Sequence, residues 1–285
     1  MSASPSVVIT GCSSGIGLAT ALEMKSRGWT VFATARKESD LTRLKEEGLT
    51  PLELDLASET SITSCVDQLK ELCGDVPDAL VNNAGFGHPG ALEDVSRADM
   101  RKQFEANVFG LLDLTNQLLP GMIRRGHGRI VHVSSVVGRV SLPFMGIYSA
   151  SKFAVEAIAD AQRVELDQTG VQVSLVEPGP IVTKFFNNAS ASGDALLQTK
   201  ESRFSELYKK ELQERDPASP KLFSLPPEAV AKKIAHALTS SRPKRRYKVT
   251  LPAHLGAFLS RVAPDALIDT ILIRELRSRK KSISS

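Results

Sequence analysis

The chain has 285 residues, of which 42% are hydrophobic and 24% are charged, and these values exclude a disordered, collagen-like or disulfide-scaffold protein. The formal net charge of +4 is too small to indicate a nucleic-acid-binding protein. Cys12, Cys65 and Cys73 lack CxxC spacing, so neither a disulfide framework nor a metal site is predicted. Because no signal-peptide pattern and no run of 18 apolar residues occurs, we expect a cytoplasmic protein.

Short apolar segments rich in β-branched residues alternate along the chain with longer segments of helical period. The short segments are apolar almost throughout, which is typical of strands buried on both faces of a parallel sheet. They cover residues 6–10, 30–33, 51–54, 79–81, 129–133, 172–176 and 247–249, and the helical segments include residues 16–27, 58–73, 96–124 and 148–169. This alternation predicts a single Rossmann-type domain over residues 1–285, a doubly wound parallel α/β sheet of about seven strands with helices on both faces.

Two segments depart from this alternation. Residues 187–227 are polar and contain prolines, and we expect an insertion over the carboxyl end of the sheet, where such folds bind ligands. Residues 252–285 are predicted to form a basic, amphipathic C-terminal helical extension. Residues 228–285 hold 13 Lys and Arg against 4 Asp and Glu, a net charge of +9, whereas residues 1–227 carry −5. Such an extension is typical of peripheral membrane contact, and packing on the sheet edge or on a second subunit is the alternative.

A glycine-rich turn follows the first predicted strand. Gly11, Gly15 and Gly17 stand in the spacing GxxxGxG, directly before a predicted helix. Glycines at such a turn let the backbone approach a pyrophosphate, which then lies at the positive N-terminal end of the helix. The sequence therefore predicts a dinucleotide site, and the alternative is a strand-to-helix turn that binds no ligand.

The end of the second predicted strand bears on the choice of dinucleotide. Folds that bind NAD usually carry an acidic residue here for the ribose 2′-hydroxyl, but this strand ends in Ala35, Arg36 and Lys37. A guanidinium can bind a 2′-phosphate through two charged hydrogen bonds, and a second cation adds to the field. The sequence therefore predicts NADP(H) as the cofactor, and the alternative is a solvated Arg-Lys pair.

Tyr148 and Lys152 are four residues apart, so on a helix their side chains share one face. A tyrosine has a pKa of about 10 and must lose two to three units, or about 3–4 kcal/mol, to exchange a proton near neutrality. A lysine ammonium about 4 Å away supplies on the order of 4 kcal/mol. Ser135 follows the strand predicted over residues 129–133 and could donate to the same substrate oxygen. Taken singly, these residues also fit a helix-surface pair and a strand end.

These motifs and several others together closely resemble the short-chain dehydrogenase/reductase family. The resemblance covers residues 6–183 and rests on TGCSSGIG from Thr10 to Gly17, Asp55, NNAG from Asn82 to Gly85, Asn107, Ser135, Tyr148, Lys152, Pro178 and Gly179. Within the family, the sequences of these motifs are most similar to those of 17β-hydroxysteroid and retinol dehydrogenases and of bacterial NADP-dependent aldehyde reductases. The resemblance implies an oxidoreductase that acts on lipophilic carbonyls and alcohols.

The resemblance also implies a role for each site residue. Tyr148 would be the general acid/base, Lys152 would bind the nicotinamide ribose and lower the pKa of the tyrosine, Ser135 would orient the substrate carbonyl, and Asn107 would hold a water of a proton relay. Asp55 would contact the adenine, Asn82 to Gly85 would line the nicotinamide site, and Pro178, Gly179 and Thr183 would cover the carboxamide. The implied cofactor-binding residues are Gly11, Ser13, Ser14, Gly15, Ile16, Gly17, Arg36, Lys37, Asp55, Leu56, Asn83, Ala84, Gly85, Tyr148, Lys152, Pro178, Gly179, Ile181 and Thr183.

The predicted substrate pocket is apolar. Its candidate lining residues are Phe86, His88, Leu142, Phe144, Met145, Phe185 and Phe186. Few fixed polar groups in a pocket suit a lipophilic substrate, such as a retinoid, a steroid or a fatty aldehyde. The alternative is that these residues belong to the core. We interpret His88 as positional rather than catalytic, because it stands in a loop beside glycines and a proline.

Two other functions compete with an oxidoreductase. A non-catalytic NADP-binding sensor on the same fold usually loses the tyrosine or the lysine, whereas this chain retains Tyr148 and Lys152 together with Ser135 and Asn107. An epimerase or dehydratase on the related longer fold would carry GxxGxxG. The family resemblance further implies a homodimer or homotetramer that contacts through the helices beginning near Ser96 and Tyr148.

Overall fold

The computed structural model describes residues 4–183, 202–213 and 223–284, which contain a sheet of seven parallel strands. The strands are β1 (Ser6–Ile9), β2 (Thr30–Ala35), β3 (Thr50–Glu53), β4 (Ala79–Asn82), β5 (Gly128–Val133), β6 (Val171–Glu177) and β7 (Arg246–Lys248). Their spatial order is β3-β2-β1-β4-β5-β6-β7. All seven strands predicted from the sequence are confirmed. The order reverses between β1 and β4, and ligands of open α/β sheets bind at such a switch point.

Helices cover both faces of the sheet, as the alternating pattern predicts. They are α1 (Gly15–Ser26), α2 (Glu38–Glu46), α3 (Glu59–Cys73), α4 (Arg97–Phe104), α5 (Gly110–Arg125), α6 (Gly146–Glu165), α7 (Ser205–Gln213), α8 (Pro227–Thr239), α9 (Leu251–Val262) and α10 (Asp265–Ser284). Successive side chains of β1 enter opposite layers: Val8 packs with residues of α3, α5 and α6, whereas Val7 and Ile9 pack with residues of α1 and α8. Burial on both faces explains why the strands are apolar throughout.

The long helix predicted over residues 96–124 is interrupted by a π-helical turn. Helix α4 leads into the turn Glu105–Phe109, and α5 follows it. A Cβ atom added to Gly110 would lie 1.8 Å from the Leu56 carbonyl oxygen, so the start of α5 touches the chain after β3. The turn changes the helical register and brings Asn107 to complete burial. Such π turns are frequent at functional sites.

Helix α6 ends earlier than predicted. It stops at Glu165, whereas the sequence pattern extends it to residue 169. Gln168 and Gly170 have φ angles of 66° and 80°, and the left-handed conformation cannot continue a right-handed helix. This turn leads the chain directly into β6.

Much of the insertion predicted over residues 187–227 lies outside the described residues, as do Phe185 and Phe186. Its described part contains α7, which packs beside the C-terminal helix α10. The predicted C-terminal extension consists of α9 and α10, which meet at Pro264. Within the described ranges, each helix is too short or too polar to cross a membrane.

Candidate active site

The glycine turn joins β1 to α1 at the switch point. Gly11 and Gly15 have φ angles of 74° and 58°, which favour glycine. A Cβ atom added to Gly11 would lie 2.8 Å from Ala84 Cα, and one added to Gly17 would lie 2.2 Å from the Gly11 carbonyl oxygen. The three glycines are therefore required for the turn to close against the end of β4.

The N-terminal end of α1 is suited to bind an anion. Within the described part of the chain, the Ser14 side chain makes no capping hydrogen bond, and the first turn of α1 contains no acidic residue. The first N–H groups of a helix lack partners inside the helix and carry its positive dipole end. Ser13 and Ile16 flank this end, and Thr183 lies over it, since a Cβ atom on Gly15 would come within 3.1 Å of Thr183 Cγ2. These features fit a pyrophosphate.

Hydrogen bonds fasten the end of β4 to the glycine turn. Thr10 Oγ1 accepts from the backbone N–H groups of Asn83 and Ala84, at 2.9 Å each. Asn83 Nδ2 donates to the carbonyl oxygens of Thr10 and Gly11, at 2.8 and 3.2 Å. The structure thus brings Asn83, Ala84 and Gly85 beside the turn, as the sequence predicts. The organising role of Thr10, which follows β1 and begins the TGCSSGIG motif, was not predicted from the sequence.

The end of β2 lies against the same turn. The Cys12 backbone N–H donates to the Thr34 carbonyl oxygen at 2.8 Å, and Arg36 and Lys37 follow with exposed side chains. A third cation, Arg43 of α2, donates a hydrogen bond to the Ser13 carbonyl oxygen. The position of Arg43 was not predicted from the sequence, because its contact with Ser13 joins residues 30 positions apart.

Asp55 and Leu56 follow β3 at the same edge of the sheet. The Asp55 backbone N–H donates to Ser61 Oγ at 2.9 Å, and Asp55 Oδ1 accepts from the Ala57 backbone N–H at 3.0 Å. Leu54 N–H donates to the Ala35 carbonyl oxygen at 3.0 Å, which joins this segment to the end of β2. Both residues therefore lie near the predicted adenosine end of the site.

Tyr148, Lys152 and Ser135 meet at the carboxyl end of β5. Tyr148 and Lys152 are buried on α6, and the Lys152 Nζ atom is 5.8 Å from the centroid of the Tyr148 ring. Lys152 Nζ donates to the Val133 carbonyl oxygen at 2.8 Å. Tyr148 shares a hydrogen bond with the Ser135 side chain. The predicted acid/base group, its cation and the second hydroxyl are thus neighbours.

Burial dominates the pKa values of this pair. It raises the pKa of Tyr148 above its ordinary value, and the hydrogen bond with Ser135 acts in the opposite direction. Burial also lowers the pKa of Lys152 to about 8, and the charge of Glu156 opposes this effect. The free energy of about 4 kcal/mol that we expect from the lysine ammonium does not include the cost of burying the tyrosinate. A low pKa for Tyr148 therefore requires further positive charge, such as an oxidised nicotinamide.

Asn107 links the loop after β4 to α6. Its Nδ2 donates to the Phe86 carbonyl oxygen at 2.9 Å and to Ser151 Oγ at 3.2 Å, and its Oδ1 accepts from the Phe86 backbone N–H at 3.1 Å. Gly85 packs on the amide, since an added Cβ atom would lie 3.0 Å from Asn107 Oδ1. Asn107 thus contacts Ser151, the residue directly before Lys152. Its relay role remains a prediction.

The segment after β6 completes the rim of the site. The Val136 backbone N–H donates to the Pro178 carbonyl oxygen at 2.8 Å, which ties this segment to the residue after Ser135. A Cβ atom on Gly179 would lie 2.0 Å from Thr250 Oγ1, so the start of α9 packs against it. Ile181 pairs with Leu225 in an isolated parallel bridge. The structure therefore brings Pro178 and Gly179 to the same edge as Ser135.

Phe144, which lies between Ser135 and Tyr148 along the chain, belongs to an aromatic cluster with Phe204 and Tyr208. Phe144 has a φ angle of 62°, an unusual conformation for an aromatic residue, and such strain is concentrated at functional sites. Its ring meets those of Phe204 and Tyr208 edge to face, at centroid distances of 5.1 and 5.8 Å. Tyr208 Oη donates to Asp94 Oδ2 at 2.6 Å and accepts from the Ala91 N–H at 2.7 Å. Helix α7 is thus held against Phe144 and the segment of Ala91 and Asp94.

The other predicted pocket residues differ in their surroundings. Phe86 is half-buried next to Asn107, and Leu142 is exposed. Met145 pairs with Gly90 in a short parallel bridge, so it is part of the frame of the loop. His88 is buried, its N–H donates to Gln103 Oε1 at 2.7 Å, and burial lowers the pKa of its ring. These contacts favour a positional role for His88.

Comparisons with known proteins identify relatives of the whole chain. The family model described as short chain dehydrogenase matches residues 5–193. An uncharacterised oxidoreductase of Escherichia coli, YbbO, is 44% identical over 94% of this chain and 93% of its own length. Human retinol dehydrogenase 8 is 38% identical over 88% of this chain and 83% of its own. An NADPH-dependent 3-dehydrocapnine reductase of Ornithobacterium rhinotracheale is 33% identical over 95% and 96%.

Solved structures have the same architecture. A short-chain dehydrogenase of Streptomyces avermitilis is 26% identical, with a TM-score of 0.76 over 100% of this chain and 99% of its own. A short-chain dehydrogenase/reductase of Burkholderia phymatum, solved with NAD, is 28% identical, with a TM-score of 0.75 over 91% and 92%. With the glycine turn and the family model in agreement, the chain belongs to the short-chain dehydrogenase/reductase family and is an oxidoreductase that uses a nicotinamide cofactor.

Proposed function

We propose that the protein is an NADP(H)-dependent oxidoreductase that transfers a hydride between the nicotinamide and the carbonyl or alcohol carbon of a lipophilic substrate. The observation that carries the proposal is the meeting of Tyr148, Ser135 and Lys152 beside the glycine turn. A non-catalytic sensor would have no use for a tyrosine and a lysine buried together at this edge. The enzyme is therefore the better-supported function.

The protein groups divide the proton chemistry among them. When bound, NADPH supplies the hydride. Tyr148 gives its proton to the substrate oxygen during reduction and takes it back during oxidation, while the Ser135 hydroxyl donates a hydrogen bond to the same oxygen. The Lys152 ammonium binds the ribose hydroxyls, and Asn107 holds the water that returns the proton. Burial raises the pKa of Tyr148, so the tyrosine holds its proton, which is the form that donates during reduction.

Three cations support NADP(H) over NAD(H). Arg36 and Lys37 follow β2, and the position before them holds Ala35 instead of an acidic residue. Arg43 of α2 donates a hydrogen bond to the Ser13 carbonyl oxygen. We assign the 2′-phosphate of the cofactor to this cluster, because a guanidinium binds a phosphate through two charged hydrogen bonds. The NADPH-dependent relative at 33% identity agrees with this assignment.

The aromatic cluster supports a lipophilic substrate. Phe144, Phe204 and Tyr208 form an apolar cluster next to the loop that carries the proposed catalytic groups, and the Tyr208 hydroxyl is bonded to Asp94. We propose that this cluster forms a wall of the substrate site. We assign this wall to a retinoid, a steroid or a fatty aldehyde, and the similarity to retinol dehydrogenase 8 agrees with it. Purified protein is screened for NADPH oxidation with long-chain aldehydes, retinal, steroid ketones and polar sugars. Activity with the apolar carbonyls is expected, and activity confined to the sugars would contradict the assignment.

An exposed apolar stripe on α9 supports peripheral membrane contact. Leu251, Leu255, Phe258 and Val262 are 55–63% exposed and lie on one face of the helix at spacings of four, three and four residues. Helix α9 contains Arg261 and no acidic residue, and the basic run at residues 279–281 belongs to the following helix. We propose that this stripe rests on an anionic lipid surface. Helix α9 lies beside the active site, since a Cβ atom added to Gly256 would lie 2.9 Å from Cγ2 of Val136, the residue after Ser135.

A second exposed face supports an oligomer. Phe109, Ile123, Phe153 and Val164 are exposed on α5, α6 and the π turn between α4 and α5. Large apolar side chains exposed on neighbouring helices are typical of subunit interfaces. We propose that two copies of the chain pair through these helices as a homodimer or as half of a homotetramer, which sedimentation velocity measures directly.

A further inference from the structure

A row of charged side chains continues the catalytic face of α6. Tyr148, Lys152, Glu156 and Asp160 follow one another at intervals of four residues, so they lie along one side of the helix. Lys152 and Glu156 are both buried, whereas Asp160 is partly exposed. A buried carboxylate one helical turn from the proposed catalytic lysine is the closest acidic group along this face.

Two arginines fix the Glu156 carboxylate. Arg246 of β7 bonds to Glu156, to Glu177 Oε1 at 2.6 Å and to both Asp160 carboxylate oxygens at 2.6 Å. Arg139, which follows the short 3-10 turn after Ser135, lies 3.3 Å from Glu156 Oε2 and 3.2 Å from Glu177 Oε1. Because two guanidinium groups share the buried carboxylates of Glu156 and Glu177, the network holds Glu156 in place and favours its ionised form.

The same carboxylate contacts the segment that carries Ser135. A Cβ atom added to Gly138 would lie 2.7 Å from Ser134 Oγ and 3.2 Å from Glu156 Cγ, so both side chains pack on Gly138. Glu156 thus packs from α6 against the segment that joins β5 to Ser135 and Arg139.

We propose that Glu156 is a positioning residue whose carboxylate, fixed by Arg246 and Arg139, holds the Lys152 ammonium in its charged form at the active site. The inference rests on the proposed function, in which that ammonium binds the ribose. Arg246 supports this role of Glu156, because its positive charge offsets the cost of burying the Glu156 carboxylate.

The direction of the electrostatic effect follows from the groups around Lys152. Burial lowers the pKa of Lys152 to about 8, and the Glu156 charge raises it. His132 of β5 also faces Lys152, but burial lowers its pKa to about 4, so it is neutral in the working range. Burial and the neighbouring charge of Glu177 raise the pKa of Glu156, and the contacts with Arg246 oppose this rise. The remaining titratable or charged groups packed in this region are Tyr148 on α6, Arg139 after the 3-10 turn, Glu177 on β6 and Arg246 on β7.

The test compares Glu156→Gln with Asp160→Asn as a matched control. Each substitution removes one carboxylate from Arg246, but only the first removes the charge next to Lys152. The pH dependence of kcat/KM and of NADPH binding, followed by nicotinamide fluorescence, is measured for both. For Glu156→Gln, the loss of binding and activity at high pH should begin about one pH unit lower than in the wild type. Asp160→Asn should keep the wild-type profile.

Two further measurements separate the charge from the fold. Glu156→Asp retains the carboxylate and should restore the profile toward that of the wild type, and thermal unfolding records any loss of stability in each variant. Equal shifts in Glu156→Gln and Asp160→Asn, or no shift in either, would overturn the inference. If the wild type reduces no carbonyl at all, the proposed function fails, while the pH dependence of NADPH binding still tests Glu156.

Discussion

Arg36 is the residue on which the choice of cofactor depends. It stands directly after β2, one residue past the position where an acidic side chain would bind the 2′-hydroxyl of NAD. Arg43 adds a second guanidinium at the glycine turn through its bond to the Ser13 carbonyl oxygen. The assignment of NADP(H) therefore rests on charge alone, and reversing the charge of residue 36 tests it.

Arg36→Asp should reverse the cofactor preference. A hydrogen bond to a charged group contributes about 1.5–3 kcal/mol, so the loss of the arginine should reduce kcat/KM for NADPH roughly 10- to 100-fold. The new carboxylate should improve the use of NADH. The ratio of kcat/KM for the two cofactors measures the change. Arg242→Asp, an equal change in net charge at another exposed arginine, is the control, and an unchanged ratio in Arg36→Asp would rule out the assignment.

Gly11 provides a test of the turn itself. Gly11→Ala combines a φ angle of 74° with a Cβ atom 2.8 Å from Ala84 Cα, whereas Gly126→Ala combines a similar φ of 71° with open space. The control should therefore lose about 1 kcal/mol of unfolding free energy through backbone strain, and Gly11→Ala about 2–4 kcal/mol together with cofactor binding. Denaturant unfolding and NADPH titration measure both losses. Equal destabilisation of the two variants would contradict the close approach of Gly11 to Ala84.

At the residue scale, the sequence predicts which side chains meet where the spacing between them is local. Tyr148, Lys152 and Ser135 have fixed spacings within one strand-helix unit, so the sequence brings them together. Asp94 and Tyr208 are joined by a hydrogen bond across 114 positions, and no local pattern predicts it. The burial that raises the pKa of Tyr148 is a property of the assembled fold for the same reason.

At the scale of elements, α9 is the part whose function the core fold does not explain. Its inner face packs through Ala253 and Ala257, whereas its apolar outer stripe is exposed beside the active site. Predictions from hydrophobic periodicity find such a helix but give no partner for its outer face. The π turn at Glu105–Phe109 was also not predicted, since it depends on the contact of Gly110 with Leu56.

Phe258→Glu should weaken binding to anionic membranes. The substitution places a charge in the stripe, where burial in the interface would cost several kcal/mol, so we expect at least a tenfold lower partition coefficient. Cosedimentation with vesicles of phosphatidylcholine and phosphatidylserine measures it. Leu72→Glu is the matched control, because Leu72 on α3 is 56% exposed and Phe258 is 60% exposed. Equal partitioning of both variants and the wild type would exclude the stripe as the lipid contact.

At the scale of the whole molecule, charge and chemistry are separated along the chain. Residues 1–227 carry a net charge of −5 and contain every group of the proposed catalytic site, whereas residues 228–285 carry +9 and contain α9 and α10. The Rossmann-type sheet and the grouping of the proposed catalytic side chains follow from the sequence, because strand periodicity and motif spacing are local. The covering helix α7 and its packing on α10 are long-range and follow only from the structure.

The central claim is that Tyr148 is the proton donor of an NADPH-dependent carbonyl reductase. Tyr148→Phe removes one hydroxyl and keeps the buried ring, so the fold and the cofactor site should remain intact. The rate of NADPH oxidation with the best carbonyl of the screen is measured for this variant and the wild type, beside NADPH binding. The account predicts a loss of at least a hundredfold in kcat, since general acid catalysis contributes about 10²–10⁴-fold, with NADPH affinity nearly unchanged. A substantial residual rate at unchanged NADPH affinity would contradict it.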